Sequence, residues 1–228
     1  MRYLLPLLLA CLLCVSSAQA QSADSKPLAI THITLIDVAG GVARPDMTVI
    51  VNGNRIAAVS KSNKVRLPQG AQVVDGRGKF LIPGLWDMHL HLTIIPDQEI
   101  TGKIIAPLLV AYGITGVRDM GGDWQRLQML RSEIAGGQTL GPRIFTPGPF
   151  VDGPQAASPV VLPVSNEDEA RQAVRKLKAQ GVDFIKVQAA LTPPLWRAVL
   201  DEARRLNIVV AGHIRESEMS RALNMLVR

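Results

Sequence analysis

Two histidines separated by a single residue are the strongest chemical signal in this sequence. His89 and His91 lie in the run Phe80-Leu-Ile-Pro-Gly-Leu-Trp-Asp-Met-His-Leu-His-Leu92, which reads as an apolar strand. Side chains two apart on a strand point to the same face, with about 7 Å between their attachment points. Two neutral imidazoles can then bind one metal ion at about 2.0–2.1 Å each. Two ordinary histidines near a strand end are the alternative, and the pair alone leaves both interpretations open.

A lysine stands in a second apolar strand, Asp183-Phe-Ile-Lys-Val187. A charged amine on a central strand is costly unless its charge is used or removed. Lys186 could extend to an acidic partner, form a Schiff base as in the barrel aldolases, or serve a metal site. The His-x-His pattern argues against the aldolase, because Schiff-base chemistry has no use for a metal.

A third candidate is His213, which follows the apolar run Val209-Val-Ala-Gly at the end of another predicted strand. A histidine in a solvent-exposed loop is the alternative interpretation. The chain has four histidines. The remaining one, His32, lies in a β-rich segment, and we interpret it as structural.

The elements that must position these residues change character along the chain. Residues 21–80 are predicted to form a small β-sandwich portion, with strands at 28–36 and 72–75 and a hairpin over 48–59 that turns at Asn52-Gly53-Asn54. From residue 81 to 228, apolar strands alternate with amphipathic helices, which indicates βα units and a parallel sheet. The strands of this part are predicted at 80–91, 114–118, 143–146, 183–187 and 208–211.

Helix start signals separate these strands. Asp123 is predicted to cap one helix, and Ser165 with Asp168 forms a start that resembles a capping box. Thr192, followed by two prolines, opens a further helix, and a last helix is predicted over 216–227. One face of the second helix is expected to be apolar, through Ala170, Ala173, Val174 and Leu177. The segment 147–154 is predicted to be a long Gly/Pro loop at the face where barrel enzymes carry their chemistry.

The first twenty residues have the pattern of a secretory signal. Arg2 supplies a positive start, residues 4–15 an apolar core, and Ala18-Gln19-Ala20 a small-x-small cleavage site. The apolar run is shorter than the ~20 residues of a membrane span. We therefore expect a secreted or periplasmic protein with no membrane contact after cleavage. Both cysteines leave with the signal.

The net charge of +6 comes from basic residues scattered among acidic ones on the predicted helices. They do not form a stripe interleaved with aromatic residues, so nucleic-acid binding is not expected.

The motifs in combination resemble the amidohydrolase superfamily. They are Pro83-Gly-Leu-Trp-Asp-Met-His-Leu-His91, Phe184-Ile-Lys-Val187 and Ala211-Gly-His213, in this order and on successive strands. Gly116-Val-Arg-Asp-Met-Gly-Gly122 and the loop 148–154 resemble the secreted imidazolonepropionase-like and Xaa-Pro dipeptidase-like branch. The resemblance implies an α/β fold, a TIM-type (β/α)8 barrel that is incomplete here, with about five βα units.

The resemblance also implies a metal site and an activity. His89 and His91 would be ligands of the more buried metal, and His213 would hold the second metal. Lys186 would be carboxylated and bridge the two divalent ions, for which the resemblance favours zinc. A metal-bound hydroxide would hydrolyse an amide, cyclic amide or Xaa-Pro dipeptide C–N bond of a small-molecule substrate. No catalytic residue is assigned.

The family also needs a histidine on strand six and an aspartate on strand eight, and neither strand is recognised in this sequence. We therefore expect a C-terminally truncated amidohydrolase. The alternatives to an active enzyme are a non-catalytic fragment and half of a split enzyme, whose partner would be a complementary C-terminal half. Asp119 and Asp152 lie near the catalytic face without taking the missing aspartate's place. Asp119 is expected to form a local salt bridge, for which Arg118 is a candidate partner.

Overall fold

The computed structural model describes residues 26–94, 100–156, 158 and 160–213. The chain divides into two compact units on either side of the bond between Pro83 and Gly84. The predicted signal sequence over 1–20 and the helix predicted over 216–227 lie outside the described residues. Among the helices that are described, none combines the length and the apolar character needed to cross a bilayer.

The first unit contains a five-stranded sheet. Its strands are β1 (Leu28–Asp37), β2 (Val42–Asn52), β3 (Arg55–Lys61), β4 (Gln72–Asp75) and β5 (Phe80–Leu81). β1 pairs antiparallel with β2 and parallel with β4 and β5, and β3 pairs antiparallel with β2. The predicted hairpin turns at Gly53, whose φ of +58° suits a residue without a side chain. Residues 26–83 form one described sheet, so the second layer of the predicted sandwich stays a prediction.

The pairing of β1 with β2 is interrupted around His32. His32 and Asp46 both have positive φ, +54° and +53°, which is costly for residues with a side chain. The His32 Nδ1 atom lies 2.8 Å from Asp46 Oδ1, and the Ser62 hydroxyl accepts a hydrogen bond from the His32 amide. These contacts hold the bulge in place, so His32 takes part in the architecture of the sheet.

The second unit is α/β, and all its described strand pairs are parallel. Its strands are β6 (Leu85–Leu90), β7 (Ile114–Asp119), β8 (Arg143–Phe145), β9 (Phe150–Asp152), β10 (Val161–Pro163), β11 (Ile185–Val187) and β12 (Val210–Gly212). They form two sheets, ordered β6-β7-β8 and β10-β9-β11-β12. The α-helices are α1 (Ala106–Ala111), α2 (Trp124–Ala135), α3 (Glu167–Gln180) and α4 (Pro193–Arg205), and a π-helical turn (Thr101–Ile105) leads into α1. Parallel strands with intervening helices agree with part of a TIM-type barrel, while the number of βα units stays a prediction.

The helices cover the sheets with their apolar faces. Leu127 and Leu130 of α2 pack in one cluster with Val117 of β7 and Ile144 of β8. The predicted face of α3 is buried in a second cluster, with side chains of β9, β11 and α4. Each such side chain removed from water contributes about 1.5–3 kcal/mol. This packing fixes the strands whose carboxyl ends carry the candidate site.

Several elements differ from their predictions. The predicted strand over 80–91 is divided into β5 and β6 at Pro83, which has no amide hydrogen to donate to a sheet. The predicted loop over 147–154 contains β9, and α1 has no counterpart among the predicted elements. The cap of α3 is Asn166, whose side chain accepts a hydrogen bond from the Glu169 amide, so the predicted start at Ser165 is wrong by one residue.

Candidate metal centre

The carboxyl ends of three strands bring the four predicted ligands together. His89 lies in β6 and His91 follows it, Lys186 lies in β11, and His213 follows β12. The ring centroids of His89 and His91 are 5.5 Å apart, and those of His89 and His213 are 6.3 Å apart. The Lys186 Nζ atom lies 3.3 Å from the His213 Nδ1 atom. Residues distant in sequence therefore meet at one place in the second unit.

The orientation of His91 is set by a backbone carbonyl. Its Nδ1 atom lies 2.8 Å from the carbonyl oxygen of Gly121. A carbonyl only accepts hydrogen bonds, so Nδ1 carries the proton and the Nε2 lone pair is left available. A histidine that binds a metal usually donates its other ring N–H in this way. The geometry of His91 fits a metal ligand.

Among the residues that the structure describes, Lys186 is the largest fully buried side chain, with 1% of its surface exposed. Within the described residues it makes no ion pair with a carboxylate. Burial, and then the nearby Arg118 guanidinium, lower the pKa of the Lys186 amine. A buried amine without an acidic partner fits a lysine whose charge is removed by modification or used by a ligand.

Two of the histidines also favour the neutral form. Their rings stay open to solvent, yet partial desolvation and then the Lys186 charge lower the pKa of both His89 and His213. The neutral imidazole is the form that binds metals. The cluster thus disfavours protons at the positions where a cation would bind.

Gln188 was not expected at this site. Its side-chain oxygen contacts the His213 Nδ1 atom, and its backbone amide donates a hydrogen bond to the Val151 carbonyl. The motif Phe-Ile-Lys-Val ends one residue earlier, so no sequence signal indicated this contact. Gln188 holds His213 on the side that faces Lys186.

The donor set is limited within the described part of the chain. His, Cys, Asp and Glu side chains form no group of three there that could hold a metal ion. The candidate site therefore consists of these three imidazoles beside the amine of Lys186.

The predicted salt bridge between Asp119 and Arg118 is wrong. Successive residues of a strand point to opposite faces, and these two side chains diverge. Arg118 Nε donates to the Met88 carbonyl, whereas Asp119 is fully buried and accepts hydrogen bonds from the Leu92 amide and the Thr146 hydroxyl. Burial raises the pKa of Asp119, and these hydrogen bonds oppose that shift.

Asp152 is the second buried aspartate at the carboxyl ends of the strands. Its Oδ1 atom accepts hydrogen bonds from the amides of Gly153 and Ala190, each at 2.9 Å. It joins the ends of β9 and β11, close to the loop that carries Gln188.

Known proteins resemble this chain in sequence and in fold. The crystal structure of a putative prolidase from Bifidobacterium longum matches with a TM-score of 0.74 and 31% identity, covering 86% of this chain and 51% of the prolidase chain. An adenine deaminase from Rubrobacter xylanophilus is 34% identical over 89 residues, which are 39% of this chain and 14% of the deaminase. An imidazolonepropionase from the same species is 40% identical over 55 residues, 22% of this chain and 13% of that enzyme.

The chain therefore spans about half the length of the prolidase that it resembles. The prolidase and the imidazolonepropionase confirm the branch that the sequence motifs indicated. These comparisons lend no support to a complementary C-terminal half. Residues 80–223 match the family model described as Amidohydrolase family, and this protein belongs to that family.

Proposed function

We propose that this protein is a metal-dependent amidohydrolase that cleaves amide or cyclic-amide C–N bonds in small non-peptide molecules or dipeptides. The observation that carries the proposal is the meeting of Lys186 with His213, Nζ to Nδ1 3.3 Å, beside His89 and His91. Similarity to a prolidase and an imidazolonepropionase supports amide-type substrates.

The residues present have distinct tasks in this proposal. His89 and His91 would hold one divalent ion, His213 a second, and carboxylated Lys186 would lie between them; nitrogen and carbamate oxygen ligands suit zinc. Such ions, when bound, polarise a substrate carbonyl and lower the pKa of an attacking water. The Gly121 carbonyl keeps the proton of His91 on Nδ1 and its Nε2 lone pair free.

Burial prepares Lys186 for its modification. The lowered pKa favours the neutral amine, which is the form that adds to carbon dioxide. The nitrogen lone pair forms one N–C bond, one C=O π bond of carbon dioxide breaks to leave an anionic oxygen, and the proton of the nitrogen passes to solvent. The product offers an anionic oxygen ligand in place of the amine. The negative charge of the carbamate would be offset by the divalent ions, whereas the ammonium has no such partner.

Three measurements on the purified chain test the proposal. Metal analysis is expected to find divalent metal, native mass spectrometry is expected to find the added mass of one carbon dioxide, and Xaa-Pro dipeptides and cyclic amides are expected to be hydrolysed. Lys186→Met should lose both the adduct and the hydrolysis. A wild-type chain with neither metal nor adduct after reconstitution with zinc and bicarbonate would contradict the proposal.

A non-catalytic chain is the second candidate. It is favoured by one observation, the lack of a group of three His, Cys, Asp or Glu ligands within the described residues. This candidate expects metal binding without hydrolysis of any substrate in the panel. Turnover that disappears in Lys186→Met but persists in His32→Asn would exclude it.

We further propose that the protein is exported to the periplasm or the medium. The positive start, apolar core and Ala-Gln-Ala site of residues 1–20 support this proposal. Amino-terminal sequencing of the protein from the source cells is expected to begin at Gln21. A mature chain that begins at Met1 would contradict export with cleavage of a signal sequence.

A further inference from the structure

Asp119 lies where the ends of three neighbouring strands meet. Its Oδ1 atom accepts a hydrogen bond from the Leu92 amide, just beyond β6, at 2.9 Å. Its Oδ2 atom accepts from the Thr146 hydroxyl, just beyond β8, at 2.8 Å, and from the Gly121 amide at 3.3 Å. One carboxylate at the end of β7 therefore connects all three strands of that sheet.

Two of these contacts lead directly to His91. Leu92 is the next residue along the chain, so its amide belongs to the peptide that follows the candidate ligand. Gly121 binds Asp119 through its amide and His91 through its carbonyl, with the carbonyl oxygen 2.8 Å from Nδ1. Asp119 thus constrains both the backbone of His91 and the group that fixes its tautomer.

The surroundings of Asp119 leave little freedom to this arrangement. The carboxylate and Thr146 are both fully buried. Gly121 has a φ of +135°, and a Cβ atom there would lie 2.5 Å from the ring of Phe150. The Gly121 peptide is therefore held by close packing as well as by Asp119.

A buried carboxylate that accepts only neutral donors is expensive, since it keeps its desolvation cost without a cation to offset it. Within the described residues Asp119 has no ion pair, and its hydrogen-bond donors are two backbone amides and one hydroxyl. Its hydrogen bonds come from Leu92, Gly121 and Thr146, which lie beside the candidate site.

We propose that Asp119 is a positioning residue, which holds His91 in the Nδ1–H tautomer through Gly121 and Leu92 and thereby sets the affinity of the site for a divalent metal. The inference rests on the proposed metal-dependent function. Loss of a partner that orients a metal-binding histidine typically lowers metal affinity by about 10–100-fold.

The test compares Co²⁺ binding by the full chain and by Asp119→Asn, followed by absorption spectroscopy. Asparagine offers one acceptor oxygen in place of two, so at least one donor of the junction loses its partner. The Co²⁺ affinity of Asp119→Asn is expected to fall by about 10–100-fold. Asp183→Asn is the matched control. The Asp183 carboxylate accepts hydrogen bonds from the Thr146 backbone amide and from Arg131, and within the described residues it has no hydrogen bond to Gly121 or Leu92.

A second readout needs no metal. In ¹⁵N spectra of the histidine rings, metal-free wild-type protein is expected to show His91 as the Nδ1–H tautomer, and Asp119→Asn is expected to add the Nε2–H form. His91→Gln assigns the signal. A wild-type chain that binds no Co²⁺ contradicts the proposed function, whereas equal affinity and an unchanged tautomer in Asp119→Asn overturn the role of Asp119 alone.

If Asp119→Asn fails to fold, Thr146→Val replaces it. At nearly constant volume, this change removes the hydroxyl that donates to Asp119 and accepts from the Gly148 amide. Several-fold weaker Co²⁺ binding by folded Thr146→Val supports the inference. Unchanged binding and an unchanged His91 tautomer in that variant overturn it.

Discussion

Histidine faces a carboxylate in one unit of the molecule and a lysine in the other. In the first unit the His32 ring lies 2.8 Å from Asp46, and their side chains are 40% and 54% exposed. In the second unit the His213 ring lies 3.3 Å from the amine of Lys186, which is 1% exposed. The first pair joins opposite charges in water, whereas the second joins an exposed imidazole to a buried amine.

The difference distinguishes a pair that belongs to the fold from a cluster of basic groups that the fold does not require. An exposed ion pair contributes about 0–1 kcal/mol, and the His32 hydrogen bond lowers the pKa of Asp46 as such a pair should. At the candidate centre, burial lowers the pKa of Lys186 and of His213, which means that the folded chain resists their protonation. Perturbed groups of this kind are typical of functional sites.

The sharpest test of this contrast removes one histidine from each unit. His213→Asn is expected to lower hydrolysis by about a thousandfold or more, because a metal supplies several kcal/mol of transition-state stabilisation. His32→Asn should change the rate less than about twofold, since an exposed pair in the sheet has little to contribute. Steady-state kinetics with an Xaa-Pro dipeptide measures both. Equal losses in the two variants would remove the distinction between the units.

Two glycines extend the contrast to the backbone. A Cβ atom at Gly212, next to His213, would lie 2.1 Å from the Val187 carbonyl oxygen, whereas nothing lies within 4 Å of a Cβ atom at Gly53 in the hairpin. Gly53→Ala should cost about 1–2 kcal/mol for its positive φ alone. Gly212→Ala should cost more, because the Val187 backbone must also move. Urea unfolding compares them, and a smaller loss for Gly212→Ala would contradict the packing around His213.

Lys186→Met tests whether the buried amine costs stability. The pKa of this amine is lower in the folded chain than its usual 10.5, so folding is penalised wherever the unfolded chain holds the proton. The penalty is complete below the folded pKa and disappears as the pH rises through 10.5. The free energy of unfolding of metal-free Lys186→Met should therefore exceed that of the wild type by about 1 kcal/mol or more at pH 7. Thermal unfolding with a chelator present measures the difference, and a less stable variant would show that the amine is well accommodated.

Glu202 lies outside the candidate centre and is a carboxylate paired with two arginines. Hydrogen bonds from Arg205 and Arg175 lower its pKa to about 2. A lowered carboxyl pKa stabilises the fold above the unfolded value, and this contribution disappears as the pH falls from about 4.5 towards 2. Glu202→Gln should flatten the pH dependence of stability in that window. Unfolding measured at several pH values tests it, with Glu167→Gln on an exposed helix end as the control.

The sequence predicted those parts of the molecule that follow from local pattern. The apolar face of α3, the cap at Asp123 and the turn at Gly53 depend on residues a few positions apart, and the structure has all of them. The family motifs likewise predicted four residues that the structure brings close together. Periodicity and spacing suffice where neighbours in the chain are also neighbours in space.

The features that escaped prediction depend on contacts between distant segments. β9 lies in a stretch rich in glycine and proline and forms only because β10 and β11 pair with it. Asp119 was assigned to its neighbour Arg118, since the sequence cannot show that Leu92 and Thr146 present their donors to it. Gln188 has no motif of its own, and only the approach of β12 to β11 brings it to His213.

Hydrogen exchange at the backbone amide of Leu92 reports on the candidate centre without a ligand and without turnover. Its hydrogen points into a carboxylate that solvent does not reach. Exchange of that hydrogen for deuterium requires the junction at Asp119 to open. The exchange rate of this amide therefore measures how often the strand end that carries His91 opens. A slow rate would show that this strand end is rigid in the metal-free protein.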